Sequence, residues 1–490
     1  MAEVKVDCLY KPELDPEFVP AVLWNREYRK LAASVADSLK IAITLERSNG
    51  AVSRFDTVLL PETEEYAALN LRYVERIVKF MLWSFGGWHV TIAGAPKVAE
   101  GLARLYSADG ERAFDYQVMG ERIYDRPFTV DSCAYEAAAP EKKVAMKLGG
   151  HFEGCRIGFD LGGSDRKCAA VKDGETLHSE EVVWDPYFQS DINYHYEGIL
   201  DSLKRAAAKL PRVDAIGGSA AGVYVENQPR IASLFRGIPE GDFATKVRPI
   251  FLEIAKEFPG VPFVVLNDGE VTALAGAISF KCNSLIGLAM GTSEAVGYVT
   301  PEGNLTDYLN ELAFAPIDYR TVNPPCDEWS GDAGVGAMYL SQQAVGRLVK
   351  TAGFDFPADT KLPEILKLVQ KAMAENDSRA AAIYRTIGRY LGYALAHYAD
   401  FYDLKNLLLL GRVSSGEGGS IIIEEAQKLL KEAFPELGIQ FHLPDETFKH
   451  GTAECRIQGQ CALFSVEEEQ FICCHDMAAP SGLFTEPLVD

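Results

Sequence analysis

The sequence predicts an α/β protein of two duplicated halves around a cleft, preceded by an extra N-terminal α/β module. Two stretches, opening at Cys155 and Ser284, each run strand, glycine turn, strand, acid–Gly turn, strand, followed by helices and further strands. Such an internal repeat indicates duplicated structural units. The 490 residues, 48% hydrophobic and 24% charged, have ordinary globular composition and length for about three folding units.

The proposed boundaries follow changes in composition along the chain. The segment 137–143 is rich in Ala, Pro and charge, and Gly149-Gly150 follows it, so we interpret this region as a linker. The last residues, beginning VEEEQ, are acidic and irregular. We therefore divide the chain into an accessory module, two halves and a tail, at residues 1–150, 151–281, 282–465 and 466–490.

The N-terminal module opens with a hairpin signal. Asn49-Gly50 lies between two apolar stretches within 38–60, and Asn-Gly strongly favours a tight hairpin turn. Helices are expected over 68–84 and, starting at a proline, over 96–106, with a strand between them at 87–94.

The halves show clear periodicity. In the first half, apolar runs and helical spacing predict strands at 155–161, 167–172, 176–184, 213–217 and 262–266, and helices at 193–210, 242–257 and 269–279. In the second half the same criteria predict strands at 284–290, 294–299, 304–309, 404–410 and 438–443, and helices at 333–350, 362–375, 378–400, 417–433 and 450–465.

Composition excludes several classes of function. The chain has 48 Lys+Arg against 70 Asp+Glu, a net charge of −22, which disfavours binding to nucleic acid phosphates and to anionic membrane surfaces. Its ten cysteines are sparse and irregularly spaced, which indicates reduced thiols. With no signal peptide pattern and no apolar run of about 18 residues, we expect a cytoplasmic protein.

The first glycine turn carries candidate phosphate-binding residues. Asp160 ends an apolar strand, and Gly162 and Gly163 follow it. Glycines between strands let the backbone approach an anion, a strand-end carboxylate holds hydrated Mg²⁺, and Ser164 and Lys167 supply donors. The alternative is a hairpin that needs glycine only for its geometry.

Two further turns occupy related places. Gly291-Thr292-Ser293 follows the strand that opens the second half, and two such turns facing each other across a cleft would clamp phosphates. The segment 410–419 joins a buried strand to a helix, where a backbone turn and a helix N-terminus suit a ribose. Alone, it is an ordinary strand–helix loop.

The segment 266–270 ends a buried strand and opens a helix. Asp268 there is a candidate general base for an attacking hydroxyl. Its residue type also suits a helix N-cap, and the two roles are compatible.

Together these segments resemble the ROK family of the actin-like (hexokinase, Hsp70, actin) ATPase superfamily. The resemblance covers about residues 155–465 and lies in FDLGGSDRK, AIGGSAAGVYVENQPRI, LNDGEVTALAGA, LAMGTSEAVGYV, NELAF and LLLGRVSSGEGG, in matching order. It implies two RNase-H-like domains with ATP and substrate in the cleft. Family members are mostly kinases of hexoses and amino sugars, and some are sugar-responsive repressors.

The resemblance implies site roles position by position. The catalytic base is Asp268. Sugar contacts are Asn267, Glu311, Gly222 and Glu270. Phosphate contacts are Asp160 (also holding Mg²⁺ through water), Gly162, Gly163, Ser164, Lys167, Gly291, Thr292 and Ser293. The adenosine motif includes Gly411, Ser414 and Gly416.

The sequence departs from the family on the substrate side. Ala313 and Phe314 stand where Gly-His is usual, and the zinc motif is reduced to Cys326, so no structural zinc is expected. A second sugar-binding Glu is missing. Asp332 is a substitute for it, although an acidic loop residue is more often simply solvated.

Three features outside the motifs were considered for a functional role and also have ordinary structural explanations. Residues 1–150 are not basic and lack a helix–turn–helix pattern, which disfavours DNA binding. Trp83, Phe85 and Trp88 would stack on a sugar or belong to a core. The cluster of His450, Cys455, Cys461, Cys473, Cys474 and His475 fits no standard zinc spacing, and we interpret it as free thiols and ordinary histidines.

The sequence thus predicts an ATP- and Mg²⁺-dependent kinase that phosphorylates a hydroxyl of a hexose or amino sugar. The alternative is a catalytically weak or inactive sugar- or nucleotide-binding sensor of the same fold. The predicted partner is a small sugar, without nucleic acid or membrane, and a homodimer stays open.

Overall fold

The computed structural model describes residues 4–146, 153–443, 452–457 and 460–465. The helices are α1 (Ala21–Ser34), α2 (Ala67–Phe85), α3 (Pro96–Leu105), α4 (Ala113–Gln117), α5 (Ile192–Ala207), α6 (Glu240–Asp242), α7 (Ile250–Lys256), α8 (Asp268–Phe280), α9 (Gln342–Leu348), α10 (Leu362–Ala374), α11 (Ser378–Tyr398) and α12 (Gly416–Ala433). Among the described residues, none of these helices is long and apolar enough to cross a membrane.

The strands are β1 (Leu39–Glu46), β2 (Val52–Leu59), β3 (His89–Ala93), β4 (Thr129–Cys133), β5 (Ala145–Met146), β6 (Cys155–Leu161), β7 (Asp165–Lys172), β8 (Glu175–Val183), β9 (Ala215–Ala220), β10 (Val223–Val225), β11 (Gln228–Ile231), β12 (Phe263–Asn267), β13 (Leu285–Met290), β14 (Glu294–Val299), β15 (Leu305–Thr306), β16 (Asn406–Leu410), β17 (Gln440–His442), β18 (Thr452–Ile457) and β19 (Gln460–Ser465).

The chain folds into two compact units that are not contiguous in sequence. Unit 1 contains the residues up to Val144 together with Asp307–Leu404 and Val413–Ile439. Unit 2 contains Ala145–Thr306, Lys405–Arg412 and the described residues from Gln440 onward. This division differs from the linear order of the sequence-based boundaries, because the chain leaves and re-enters each unit.

Unit 2 contains a five-stranded sheet built from the first half. Its order is β12-β9-β6-β7-β8, with β6, β9 and β12 parallel and the β6–β7–β8 meander antiparallel. Apolar residues of β6 and β9 pack with α5 and α7, including Ile157, Phe159, Ile199, Ile216 and Phe251. The predicted strand 155–161, which is apolar except for Arg156 and Asp160, is therefore a core strand.

The second sheet of unit 2 repeats this arrangement. Its order is β14-β13-β16-β17, with β13–β14 antiparallel and β13, β16 and β17 parallel. The opening strand of each half thus pairs with its hairpin partner on one side and with a later parallel strand on the other. This shared order confirms the duplicated RNase-H-like fold class.

One predicted member of the second sheet is wrong. The stretch 304–309 was expected as its third strand, but β15 pairs with β5 instead. The amide of Thr300 donates to Asn304 O at 2.9 Å, and Gly303 adopts a φ of 80°. The hairpin therefore begins, but the chain leaves β14 before a third strand can pair with it.

Unit 1 contains the N-terminal sheet, whose order is β2-β1-β3-β4. The predicted hairpin is confirmed, since β1 pairs antiparallel with β2 across Asn49-Gly50. The predicted helices over 68–84 and 96–106 correspond to α2 and α3, with Pro96 at the start of α3. Residue Lys142 pairs with Val52, so the predicted linker 137–143 is attached to this sheet.

Three predicted helices differ from the elements that the structure contains at those positions. The stretch 242–257 is interrupted before α7 at Pro249, which has no N–H to donate within a helix. The stretch 333–350 contains a single 3₁₀ turn over Gly336–Met338 and then α9, which begins only after its N-cap Ser341. The stretch 450–465 contains β18 and β19, in agreement with the period-two alternation over 452–457.

Candidate functional site

Carboxyl ends of parallel strands lie side by side in unit 2. Asp160 on β6 is in register with Ser219 on β9, which in turn is in register with Leu266 on β12. Neighbouring strands lie about 4.8 Å apart, so the ends of three strands form one short edge. In open α/β sheets such an edge is where ligands bind.

Asp160 is held in a buried polar setting. Ser219 Oγ donates to its Oδ1 at 2.5 Å. Burial raises the pKa of Asp160, while the Ser219 hydrogen bond and the charge of Lys167 oppose that rise. Lys167 is itself buried, with Nζ 3.9 Å from Asp165 Oδ1. A single strand-end carboxylate of this kind fits Mg²⁺, which binds through few carboxylates and keeps several waters.

The first glycine turn is closed by its own backbone. Gly162 N donates to Asp165 O at 3.0 Å, and Gly162 O accepts from Trp184 Nε1 at 2.8 Å. Ser164 is exposed, and its hydroxyl donates to Asp165 Oδ2 at 2.8 Å. The predicted donor Ser164 is therefore engaged within the turn, while Gly163 stays half-buried beside it.

The start of α8 is fixed by Asn267. Its Oδ1 accepts from Gly269 N at 2.7 Å, and its Nδ2 donates to Gly222 O at 2.7 Å. The N-cap is therefore Asn267, and Asp268 is the first helical residue, although its Oδ1 also accepts from Gly269 N at 3.0 Å. Gly222 adopts a φ of 126°, which favours glycine at that position.

The helix α8 carries Asp268 onto the second sheet. A Cβ at Gly297 on β14 would collide with Gly269 O and lie 2.6 Å from the Cα of Glu270. Glu270, a predicted sugar contact, is buried. Asp268 lines a small pocket with Gly291 and other residues of α8 and the second sheet, namely Gly269, Thr272, Gly287, Ala289, Ala295 and Leu410.

The second and third turns meet at this pocket. Gly291 N donates to Ser293 O at 2.9 Å, which makes a tight turn, and Thr292 is half-buried. The Ser293 hydroxyl is buried and makes no hydrogen bond within the described part of the chain. Gly411 has a φ of 96° and lies against β13, where a Cβ would be 2.5 Å from Met290 N. The two strand ends are therefore in direct backbone contact.

The remaining predicted site residues belong to unit 1. Glu311 is buried, and its N–H donates to Trp83 O at 2.8 Å. Ser414 is buried in a single-turn helix, and Gly416 is exposed at the start of α12. Unit 2 thus contains the residues of the first two turns, Gly222, Asn267, Asp268, Glu270 and Gly411, whereas Glu311, Ser414 and Gly416 belong to unit 1.

The interpretation of Asp332 as a solvated loop residue is wrong. This carboxylate is 5% exposed and forms ion pairs with Lys79 and Arg112. Trp83, considered for sugar stacking, is buried and donates from Nε1 to Asp115 at 2.6 Å. Internal ion pairing and core packing account for both residues.

The cysteine cluster lies mostly beyond what is described. His450, Cys473, Cys474 and His475 fall outside the described residues, while Cys455 lies on β18 and Cys461 on β19. Within the described ranges, no group of three His, Cys, Asp or Glu residues is placed to hold a metal ion.

Phe314, which stands where the family usually has His, packs against Trp83 with ring centroids 4.6 Å apart.

No protein-family model matches the chain, and no curated protein matches its sequence. Solved structures do match. They include a ROK family transcriptional regulator described as a homologue of E. coli MLC, with 20% identity over 60% of this chain and 74% of the other at a TM-score of 0.48. The ROK hexokinase of Thermus thermophilus matches with 18% identity over 59% and 92%, at a TM-score of 0.46.

A ROK glucokinase of Streptomyces griseus, solved with glucose and AMPPNP, matches with 22% identity over 59% of this chain and 91% of the other, at a TM-score of 0.40. These three structures are ROK proteins. Since their TM-scores are below 0.5, the fold assignment rests on the shared strand order of the two sheets.

Two contacts of the site had no signal in the sequence. Ser219 lies inside the quoted motif AIGGSAAG, but nothing in that motif indicates which side chain meets Asp160. Trp184 ends the predicted third strand, and its bond to Gly162 joins residues 22 positions apart. Both contacts depend on strand register, which a local pattern does not fix.

Proposed function

We propose that this protein is an ATP-dependent carbohydrate kinase, a phosphotransferase acting on an alcohol group of a hexose or amino sugar. The observation that carries the proposal is that Asp268 and Gly291 line one pocket, where the helix after the first sheet meets the glycine turn of the second. A carboxylate beside a phosphate-binding turn is what phosphoryl transfer to a hydroxyl requires.

In the proposed reaction the sugar hydroxyl oxygen forms a bond to the γ-phosphorus, and the bond to the β–γ bridging oxygen breaks to release ADP. Asp268 accepts the hydroxyl proton. Bound Mg²⁺ would neutralise charge on the phosphates. The backbone of the two glycine turns and Lys167 would bind phosphate oxygens, and Asp160 would orient the metal through water.

Asp268→Asn tests this proposal, because it keeps the shape of the side chain and removes the proton acceptor. A general base contributes about 10² to 10⁴-fold, so turnover should fall by that order while ATP binding is kept. ADP release is measured with a panel of hexoses and amino sugars. Asp201→Asn is the matched control, since Asp201 is an exposed partner of Arg205. Full turnover by Asp268→Asn would reject the assignment.

A non-catalytic sensor is the second candidate. Two predicted substrate-side residues favour it, because they already bind other parts of the protein. Asn267 donates a hydrogen bond to Gly222 O, and Asp332 forms an ion pair with Lys79. The same sugar panel separates the two functions. Ligand-dependent thermal stabilisation without ADP release on any sugar supports the sensor, since binding to the native state alone raises stability.

A further inference from the structure

The loop after β8 crosses the first glycine turn. Trp184 N donates to Ser164 O at 3.0 Å, in addition to the bond from its ring to Gly162 O. These two bonds fix the start of the loop on the turn itself. The residues that follow, Asp185–Gln189 in sequence, therefore begin directly beside this turn.

Tyr187 occupies the place of a side chain at Gly163. A Cβ on Gly163 would overlap Tyr187 Oη and lie 2.6 Å from Cε2 of that ring. Gly163 has no positive φ, so its backbone alone does not call for glycine. The absence of a side chain at this position instead lets the phenol hydroxyl approach the turn.

The guanidinium group of Arg236 lies over the face of the Tyr187 ring. The Arg236 guanidinium carbon is 4.0 Å from the Tyr187 ring centroid and 5.0 Å from that of Phe188. A guanidinium over an aromatic face is attractive, and it also brings positive charge to the region of the turn.

The two segments that carry this pair are locked together. His195 is buried, and its Nε2 lies 3.0 Å from Pro186 O and 2.9 Å from Leu234 O. Burial lowers the pKa of His195, which favours the neutral ring with its N–H on Nε2. A Cβ at Gly237 would be 2.6 Å from Gln189 O, so the backbones also pack closely. Tyr187 and Arg236 are therefore preorganised.

We propose that Tyr187 Oη donates a hydrogen bond to the terminal phosphate of a nucleoside triphosphate at the first glycine turn, and that Arg236 holds the ring in place. This inference rests on one part of the proposed function, namely that the first glycine turn binds phosphate. Tyr187 would then be a phosphate-contacting residue and Arg236 a positioning residue. The pair would distinguish a triphosphate from a diphosphate.

Tyr187→Phe tests the proposal in the full-length protein, because it removes the hydroxyl and keeps the ring under Arg236. Binding of AMPPNP and of ADP, each with Mg²⁺, is measured by calorimetry. A hydrogen bond to a charged group is lost only with the triphosphate analogue, so AMPPNP affinity should fall about tenfold while ADP affinity stays within about twofold. Arg236→Met should weaken AMPPNP in the same direction, by less.

Tyr194→Phe is the matched control. Tyr194 Oη accepts from Asp185 N at 2.9 Å on the same loop, so this variant also loses one hydroxyl and should bind both nucleotides as the wild type does. Equal affinities of the wild type and Tyr187→Phe overturn the inference, as does tighter AMPPNP binding by the variant. A wild-type protein that binds neither nucleotide rejects the proposed function and this inference with it.

Discussion

Gly269 and Gly297 are in backbone contact: a Cβ at Gly297 would collide with the carbonyl oxygen of Gly269 and lie 2.6 Å from its carbonyl carbon. Gly269 is the second residue of α8, directly after the proposed base Asp268. The lack of a side chain on β14 at this point therefore sets how closely the helix start approaches the second sheet.

Gly297→Ala should displace the start of α8 and with it Asp268. A misplacement of about 1 Å at a reacting group costs on the order of 10²-fold in rate, so kcat should fall by about that factor. Nucleotide binding should change far less, because the glycine turns themselves are untouched. Steady-state kinetics with a sugar substrate, together with AMPPNP binding, measure the two effects separately.

Gly276→Ala is the control for this prediction. A Cβ at Gly276 would be 2.4 Å from Leu408 Cδ2, so the variant crowds the same helix–sheet interface at a residue that does not line the pocket of Asp268. Both variants should lose about 1–3 kcal/mol of stability from overpacking, measured by urea unfolding. If the two variants lose kcat equally, then Gly297 acts on folding and not on the position of Asp268.

Ser219→Ala should shift the pH dependence of the reaction. The Ser219 hydroxyl donates to the Asp160 carboxylate at 2.5 Å and lowers the pKa of Asp160 against the raising effect of burial. Removing the donor raises that pKa further. Because the ionised carboxylate is the form that would orient Mg²⁺, the acid limb of the kcat/KM profile should move to higher pH.

Ser202→Ala is a suitable comparison for that profile, since Ser202 Oγ accepts from Arg166 Nε at 2.9 Å in the same unit. Its acid limb should coincide with that of the wild type. An acid limb that does not move in Ser219→Ala would show that another group controls it.

Local sequence patterns were sufficient to predict most strands and helices of unit 2. The mostly apolar strand β6, the glycine turn after it and the helix after Asn267 are all determined by residues close in sequence. The identity of the N-cap was harder, because Asn267 and Asp268 are both good caps by type. The bond from Asn267 to Gly222, 45 positions away, selects between them.

The set of chain segments that together form unit 1 could not be predicted from local patterns. Glu311 is joined to α2 by its N–H bond to Trp83 O, and Asn310 N donates to Ser84 O at 2.8 Å. These bonds bridge more than 220 positions, and no local periodicity encodes them. The same holds for Asp332, whose burial depends on cations contributed by the N-terminal module.

Lys79 is the centre of that buried ion cluster, and its substitution should be severely destabilising. It has no exposed side-chain surface, and its Nζ lies 2.8 Å from Asp115 Oδ1 and also contacts Asp332. Lys79→Met keeps the length of the side chain but leaves two buried carboxylates short of a cation. Removing one partner of a buried pair costs about 3–5 kcal/mol, which urea unfolding of the full chain measures.

Lys30→Met provides the reference, because Lys30 pairs with Glu27 through side chains that are 71% and 40% exposed, and exposed pairs contribute about 0–1 kcal/mol. If Lys79→Met does not fold, Trp83→Phe removes the bond from Nε1 to Asp115 together with part of a buried ring, and should cost at least about 1.5–3 kcal/mol. A Lys79→Met protein as stable as Lys30→Met would mean that the cluster contributes no net stability to unit 1.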